Sequence, residues 1–168
     1  MTTKRCFPPV VDAHTRVLVL GSLPGEVSLA QSQYYAHKQN QFWRLVGDVV
    51  GGDLVGMEYA ERLQTLLAYN IGLWDVVAEA KREGSLDSNI RDHAGNDLIG
   101  LIQSLPQLAV IAFNGGTAER IGSKVLVKHD CGQYRIVRLP SSSPAHTLAY
   151  PEKLRAWQAL RTHMHGIG

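Results

Sequence analysis

Arg16–Gly25 reads R-V-L-V-L-G-S-L-P-G, and a short polar link then leads to Tyr34–Trp43, Y-Y-A-H-K-Q-N-Q-F-W. Val17 to Leu20 is a compact apolar run that Gly21-Ser22-Leu23-Pro24-Gly25 stops abruptly, which predicts a buried strand feeding a tight loop. Open α/β folds place their ligands outside the carboxyl ends of such strands. The two tyrosines, histidine, amides, phenylalanine and tryptophan that follow suit a flat, partly polar ring. Aromatic faces stack on it and amides read its edge.

Working outward, Phe42, Trp43, Leu45, Val46, Val49 and Val50 recur at helical spacing until Gly51-Gly52. Tyr59, Leu63, Leu66 and Leu67 mark a second amphipathic helix, and residues 70–77, N-I-G-L-W-D-V-V, a second buried strand. Residues 78–95 are polar and predict a long loop. Asn96 is placed to cap a helix carrying Leu98, Leu101, Ile102 and Leu105, closed by Pro106. Leu108–Phe113 is a third strand, turned by Asn114-Gly115-Gly116 into a helix ending near Gly122. A polar, hairpin-like segment precedes a fourth strand from Tyr134 to Leu139, whose exit is Pro140-Ser141-Ser142-Ser143-Pro144-Ala145-His146. Pro151 suits the first turn of a last helix through Leu154, Trp157 and Leu160.

Strands alternating with helices argue for a mainly parallel four-stranded sheet covered on both faces, a three-layer α/β/α sandwich. Its four strand exits, G-S-L-P-G, L-W-D, F-N-G and P-S-S-S-P-A-H, then share one edge, and each is polar or glycine-rich.

The totals agree. The 168 residues fit one domain, with residues 1–14 expected as a loosely ordered arm. Apolar residues at 45 % with 19 % charged exclude a disordered chain, and no segment approaches the ~20 apolar residues of a membrane span. The start, M-T-T-K-R-C-F-P-P, is too short and polar for a signal peptide, so a cytoplasmic protein is expected. Cys6 and Cys131 belong to no C-x-x-C pair, and no H-x-x-H, H-E-x-x-H or carboxylate cluster occurs, so neither disulfide nor metal is expected. The net charge of +2 is mild, yet Lys4, Arg5 and Arg16 with Lys153, Arg155 and Arg161 allow a modest basic face.

Each candidate site residue has a plain structural reading beside a chemical one. G-S-L-P-G lacks the lysine and length of a P-loop, and Ser22 lacks the spacing of a nucleophile elbow; alone it is a strand-ending turn. Asn40 either caps the helix at Phe42, or holds a water on its carbonyl and donates its NH₂ to a ligand. Tyr34 and Tyr35 are a stacking wall or a half-exposed surface pair. Asp75 pairs with Arg82 or Arg91, or accepts a ring N–H of a bound base. Asn114 caps a helix or contacts a ligand. Ser141 to Ser143 and the loop's backbone N–H groups suit phosphate; His146 faces solvent, contacts phosphate or acts as an acid.

Together L-G-S-L-P-G, Y-Y-x-H-x-x-N-x-F-W, G-L-W-D-V, D-S-N-I, F-N-G and L-P-S-S-S-P-A-H resemble the uracil-DNA glycosylase superfamily, most closely its hypoxanthine-DNA glycosylase branch, from Leu18 to about Leu160. The resemblance implies a monofunctional base-excision repair enzyme. It would flip a deaminated base, hypoxanthine in deoxyinosine, out of damaged double-stranded DNA, hydrolyse its N-glycosidic bond as a monomer without cofactor, and leave an abasic site. It would act on the nucleoid. At two positions the chain departs from the superfamily's usual pattern. Leu23 stands where a water-activating Asp or Asn is common, and Ser141 where efficient uracil enzymes carry a histidine. Both departures are shared with the hypoxanthine branch, where the implied catalytic asparagine maps to Asn40. The implied base pocket is Gly21, Ser22, Leu23, Pro24, Phe42 as stacking partner, Asp75 and Asn114. Ser141, Ser142, Ser143, Pro144, Ala145 and His146 would grip phosphate and fill the gap. The alternatives are a mismatch-type uracil or thymine glycosylase and a catalytically silent nucleic-acid-binding module of the same fold. A serine hydrolase built on Ser22 or Ser142 has no triad to support it.

Overall fold

The computed structural model describes residues 3–81, 85 and 91–164. In chain order, β1 is Thr3–Arg5, β2 Val17–Gly21, α1 Glu26–Gln31, α2 Phe42–Val50, α3 Tyr59–Ala68, β3 Ile71–Asp75, β4 Val77–Lys81, β5 Arg91–Gly95, α4 Leu98–Gln103, β6 Val110–Asn114, α5 Gly116–Leu126, β7 Arg135–Leu139 and α6 Tyr150–Trp157. A tighter 3-10 turn, Gln158–His163, continues α6.

Four strands form a parallel sheet in the order β3-β2-β6-β7. Val17 to Leu20 are fully buried because each face of β2 meets a different helix layer. Val17 and Val19 pack with Phe42, Leu45, Val46, Val49, Leu66 and Trp157 of α2, α3 and α6. Leu18 and Leu20 pack with Leu98, Ile102, Ala118 and Ile121 of α4 and α5. A strand covered on both faces needs an unbroken apolar run, which is what residues 17–20 supply. The expected α/β/α sandwich is the observed one.

The strand order places the ligand crevice. From β2 the chain crosses to β3 on one side, and from β6 to β7 on the other, so the connections diverge between β2 and β6. Divergence of this kind opens a gap outside the carboxyl ends of those two strands.

Several local expectations need correction. The polar stretch 78–95 is not a plain loop: β4 and β5 pair antiparallel, and β1 adds to β4, giving a second, three-stranded sheet. Its alternation is obscured by the charged residues Glu79, Lys81, Arg91 and Asp92. Residues 82–84 and 86–90, which include Arg82 and the D-S-N-I stretch, lie outside the described residues. Asp97, not Asn96, caps α4, accepting the Gly100 N–H at 2.9 Å. Asn96 instead donates its Nδ2 to the Asp75 carbonyl at 2.7 Å and to Cys6 Sγ at 3.2 Å. The helix after β6 runs through Gly122 to Leu126, since that glycine faces the Phe113 ring where a Cβ has no room. The polar link after Gly25 contains the short helix α1. Residues expected as an arm are tied to the body by β1 and by a bridge between Val10 and Leu73.

Candidate active site

A cavity of about 590 Å³ opens at the crevice between the ends of β2 and β6. It lies within the roughly 300–1,000 Å³ usual for small-molecule sites. All four strand exits reach it: Gly21–Gly25 from β2, Asp75 from β3, Asn114–Gly116 from β6, and Ser141–His146 after β7. Asn40 and Tyr35 complete the wall before α2, and Ser85 reaches it from the far side.

The floor is made possible by Gly21. A Cβ there would lie 2.7 Å from Asp75 Oδ1 and 2.8 Å from Tyr35 Oη. The missing side chain lets a carboxylate and a phenol converge on one point at the end of β2. Asp75 sits opposite Gly21 in the parallel register and is 3 % exposed. The side chains of Arg82 and Arg91, its alternative partners from the sequence, are outside the described residues.

Phe42 does not line the cavity. It is fully buried, in T-shaped contact with Trp43 and Trp157. Tyr35 lies over its face, ring centroids 4.1 Å apart and 13° from parallel, and it is the Tyr35 ring that meets the cavity. Phe42, expected to stack on a ligand, thus lies behind Tyr35, which lines the cavity in its place. Tyr35 reaches this place through a left-handed backbone, φ 55°. That conformation costs a non-glycine residue about 1–2 kcal/mol, and it turns the ring inward. Tyr34 is buried behind it, its hydroxyl donating to the Pro8 carbonyl at 3.1 Å. Its ionisation is pushed far up by burial and by the charge of Asp75.

Asn40 serves as both helix starter and cavity wall. Its Oδ1 accepts the Phe42 N–H at 2.9 Å, while Gln41 takes the capping position of α2. One lone pair of the amide oxygen is thus committed and the side chain is fixed, while Asn40 still lines the cavity. Asn114 differs: its Nδ2 donates to Ser142 Oγ at 3.0 Å and Tyr35 Oη at 3.3 Å, and its Oδ1 accepts the Ser142 N–H at 2.9 Å. It is a buried brace between β6 and the last loop.

The serine loop is also more committed than its sequence suggests. Ser142 is 1 % exposed and faces Asn114, so it does not present a hydroxyl outward for phosphate. Ser141 Oγ accepts the Ser143 N–H and Ser143 Oγ accepts the Ala145 N–H, both at 3.1 Å. The His146 N–H goes to the Ser143 carbonyl. The backbone N–H groups of Ser142, Ser143, Ala145 and His146 are therefore spent within the protein. What remains to face a ligand are the Ser141 and Ser143 hydroxyl hydrogens and the exposed Pro144, Ala145 and His146. Gly115, with φ 97°, allows β6 to pass Ser141 closely: a Cβ there would be 3.1 Å from that of Ser141.

Of the first loop, Leu23 packs into the α4–α5 core while still lining the cavity, and Ser22 and Pro24 are buried with it. His37, the histidine of the quoted Tyr34–Trp43 run, also lines it, as do Ser28 and Thr117, which carried no signal in the sequence. Ser85 had none; its Oγ accepts the Glu26 N–H at 2.8 Å. Of the basic residues, Lys4 pairs with Glu26 at 3.4 Å and Arg5 with Glu79 at 3.0 Å. Among the described residues no group of three metal-ligating side chains gathers, and no helix is long and apolar enough to cross a membrane.

A polar-and-aromatic pocket at the divergence point of a four-stranded parallel sheet, rimmed by a serine–proline loop, defines an α/β protein built to enclose a flat heterocycle. The family model of the uracil DNA glycosylase superfamily matches residues 8–161, and the chain belongs to that superfamily. A hypoxanthine DNA glycosylase of Methanosarcina acetivorans is 42 % identical over 160 residues, covering 95 % of this chain and 99 % of that protein. One of Methanosarcina barkeri is 40 % identical over 154 residues, covering 92 % and 95 %. A solution NMR structure of a candidate uracil DNA glycosylase from Methanosarcina acetivorans superposes with a TM-score of 0.85 at 40 % identity, covering 97 % of this chain and 99 % of that one.

Proposed function

We propose that this protein is a DNA glycosylase that excises hypoxanthine from deoxyinosine in duplex DNA, working as a cytoplasmic monomer without a cofactor. The observation that carries the reading is Asn40: a fixed amide on the wall of a cavity large enough for a flipped base, whose first loop offers Leu23 where an acid would activate water. The names borne by the two Methanosarcina relatives support hypoxanthine as the base.

The chemistry follows from the side chains. The flipped base stacks on Tyr35, with Asp75 facing its N1–H and the first loop's backbone facing O6 and N7. As the C1′–N9 bond breaks, the electron pair leaves with the purine and positive charge grows on the sugar. Water adds to C1′ as hydroxide, and its other proton balances the departing base. Asn40 is no base, but its second oxygen lone pair can orient that water beside the positive sugar, while its NH₂ can donate to the negative charge leaving with the base. Orientation of this kind substitutes for part of the ~10²–10⁴-fold that general-base help supplies. The Ser141 and Ser143 hydroxyls hold flanking phosphates, and Ala145 with His146 stands at the gap left by the base.

The test is cleavage of duplexes carrying inosine, uracil or xanthine, developed with hot alkali. Inosine strands are expected to be cut fastest, and wild type and Asn40→Ala are compared on the same duplex. Uracil cut far faster than inosine would overturn the substrate assignment.

A further inference from the structure

Lys153 is the one cation of the two basic stretches that does not reach solvent. It sits in the first turns of α6 at 1 % exposure, and among the described residues it has no carboxylate within ion-pair distance. Its ammonium donates to Gln41 Oε1 at 2.9 Å and to the Ser143 carbonyl at 3.3 Å. Burying a charge against neutral oxygens alone is costly, and an apolar residue of similar length would be less so. Burial also pushes the lysine below its ordinary ionisation range.

The two oxygens it holds belong to two segments that both reach the cavity, one through Asn40 and the other through Ser143. Gln41 follows Asn40 directly, and its own N–H donates to the Ser142 carbonyl at 2.9 Å. Ser143 is the outer serine of the loop that faces flanking phosphates. We propose that Lys153 is a positioning residue that locks the Asn40 wall to the serine loop, so that the loop's grip on DNA sets the aim of the catalytic amide. Its charge acts inside the protein and meets no phosphate. The proposal rests on the glycosylase reading above and goes beyond it by naming the link between DNA grip and bond cleavage.

Lys153→Met keeps the length of the side chain and removes the charge and donors; Gln41→Leu removes one acceptor and keeps the lysine. Full-length variants are compared with wild type in single-turnover excision, enzyme in excess, on whichever deaminated-base duplex wild type cuts. Affinity for an abasic-site duplex is followed across salt concentrations. The rate is expected to fall about 10–100-fold in Lys153→Met, in the range of a lost positioning contact. The double variant should be no slower than the worse single one, because both break one link. The salt slope should stay at the wild-type value, whereas a lysine on phosphate would lower it by about 0.9. A reduced slope, a rate within twofold of wild type, or additive losses would each overturn the proposal. Should Lys153→Met fail to fold, Gln41→Leu carries the test alone and must slow excision with the slope unchanged. An error in the substrate assignment appears in wild type, as preference for another base, whereas an error here appears only in the variants. A wild type inert on every duplex overturns both.

Discussion

Asn40 and Asn114 stand on facing walls of one cavity, each just before a helix, and sequence offers the same two roles for both. Their hydrogen bonds separate them. Asn114 spends both ends of its amide on Ser142 and Tyr35, holding the last loop to β6. Asn40 spends one lone pair on the Phe42 N–H, which fixes the side chain and leaves amide capacity at the cavity. In the proposed function, residues 21–43 offer the chemistry and residues 114–146 hold the geometry. An amide with all its bonds made inside the fold is a strut; one with bonds to spare is a tool.

The contrast breaks or sharpens by mutation. Asn40→Ala should lower single-turnover excision by about 10²-fold or more, the scale for losing one group that stabilises a transition state. Its stability cost should stay near 1 kcal/mol, the worth of a helix-starting side chain. Urea unfolding beside the rate measurement checks both, and an undiminished rate would remove Asn40 from the chemistry. Asn114→Ala should show the reverse weighting. The unmatched Ser142 N–H costs about 1–3 kcal/mol in unfolding free energy, with a rate loss smaller than that of Asn40→Ala. If its rate loss were the larger, the division of the two walls would be wrong.

Tyr35→Leu should weaken excision about tenfold at subsaturating DNA, because base stacking on an aromatic ring is worth about 1–3 kcal/mol. Phe42→Leu, behind it, should change stability more than rate. The smallest effect is expected from the opposite edge of the sheet. His163, whose carbonyl accepts from Arg16 Nε at 3.3 Å, has its protonation pushed below the ordinary range by burial first, then by Arg135 and Arg16. The unfolded chain takes up that proton more readily, so stability from this site is complete above the ordinary histidine value of ~6.5 and fades as pH falls through the lowered one. His163→Gln should flatten that part of the stability–pH curve without altering excision at neutral pH.

The parallel sheet and the cavity's location were legible because each depends on local signals repeated in order. Val17–Leu20 and Leu108–Phe113 are apolar runs closed by glycine, and their exits had to share an edge. What escaped was decided by partners distant in sequence. Tyr35 displaced Phe42 because Trp43 and Trp157 enclose the phenylalanine, and Trp157 lies more than a hundred residues away. Ser142 turned inward because Asn114 meets both its hydroxyl and its N–H. The strands at 77–81 and 91–95 carried too many charges to show a period, and the pairing of 77–81 with residues 3–5 has no local trace. Asp97 took the cap from Asn96 by one position, a shift to which helix starts are prone.

The central pairing of β2 with β6 joins residues 17–20 to residues 110–113. During synthesis the asparagine wall and β3 are therefore made well before β6, the other neighbour of β2, exists, and the serine loop and Lys153 come later still. Pairings this distant in sequence form slowly. On the proposed function, a nascent or truncated chain ending before residue 140 has the tool without the grip and should not engage DNA productively until the last helix docks.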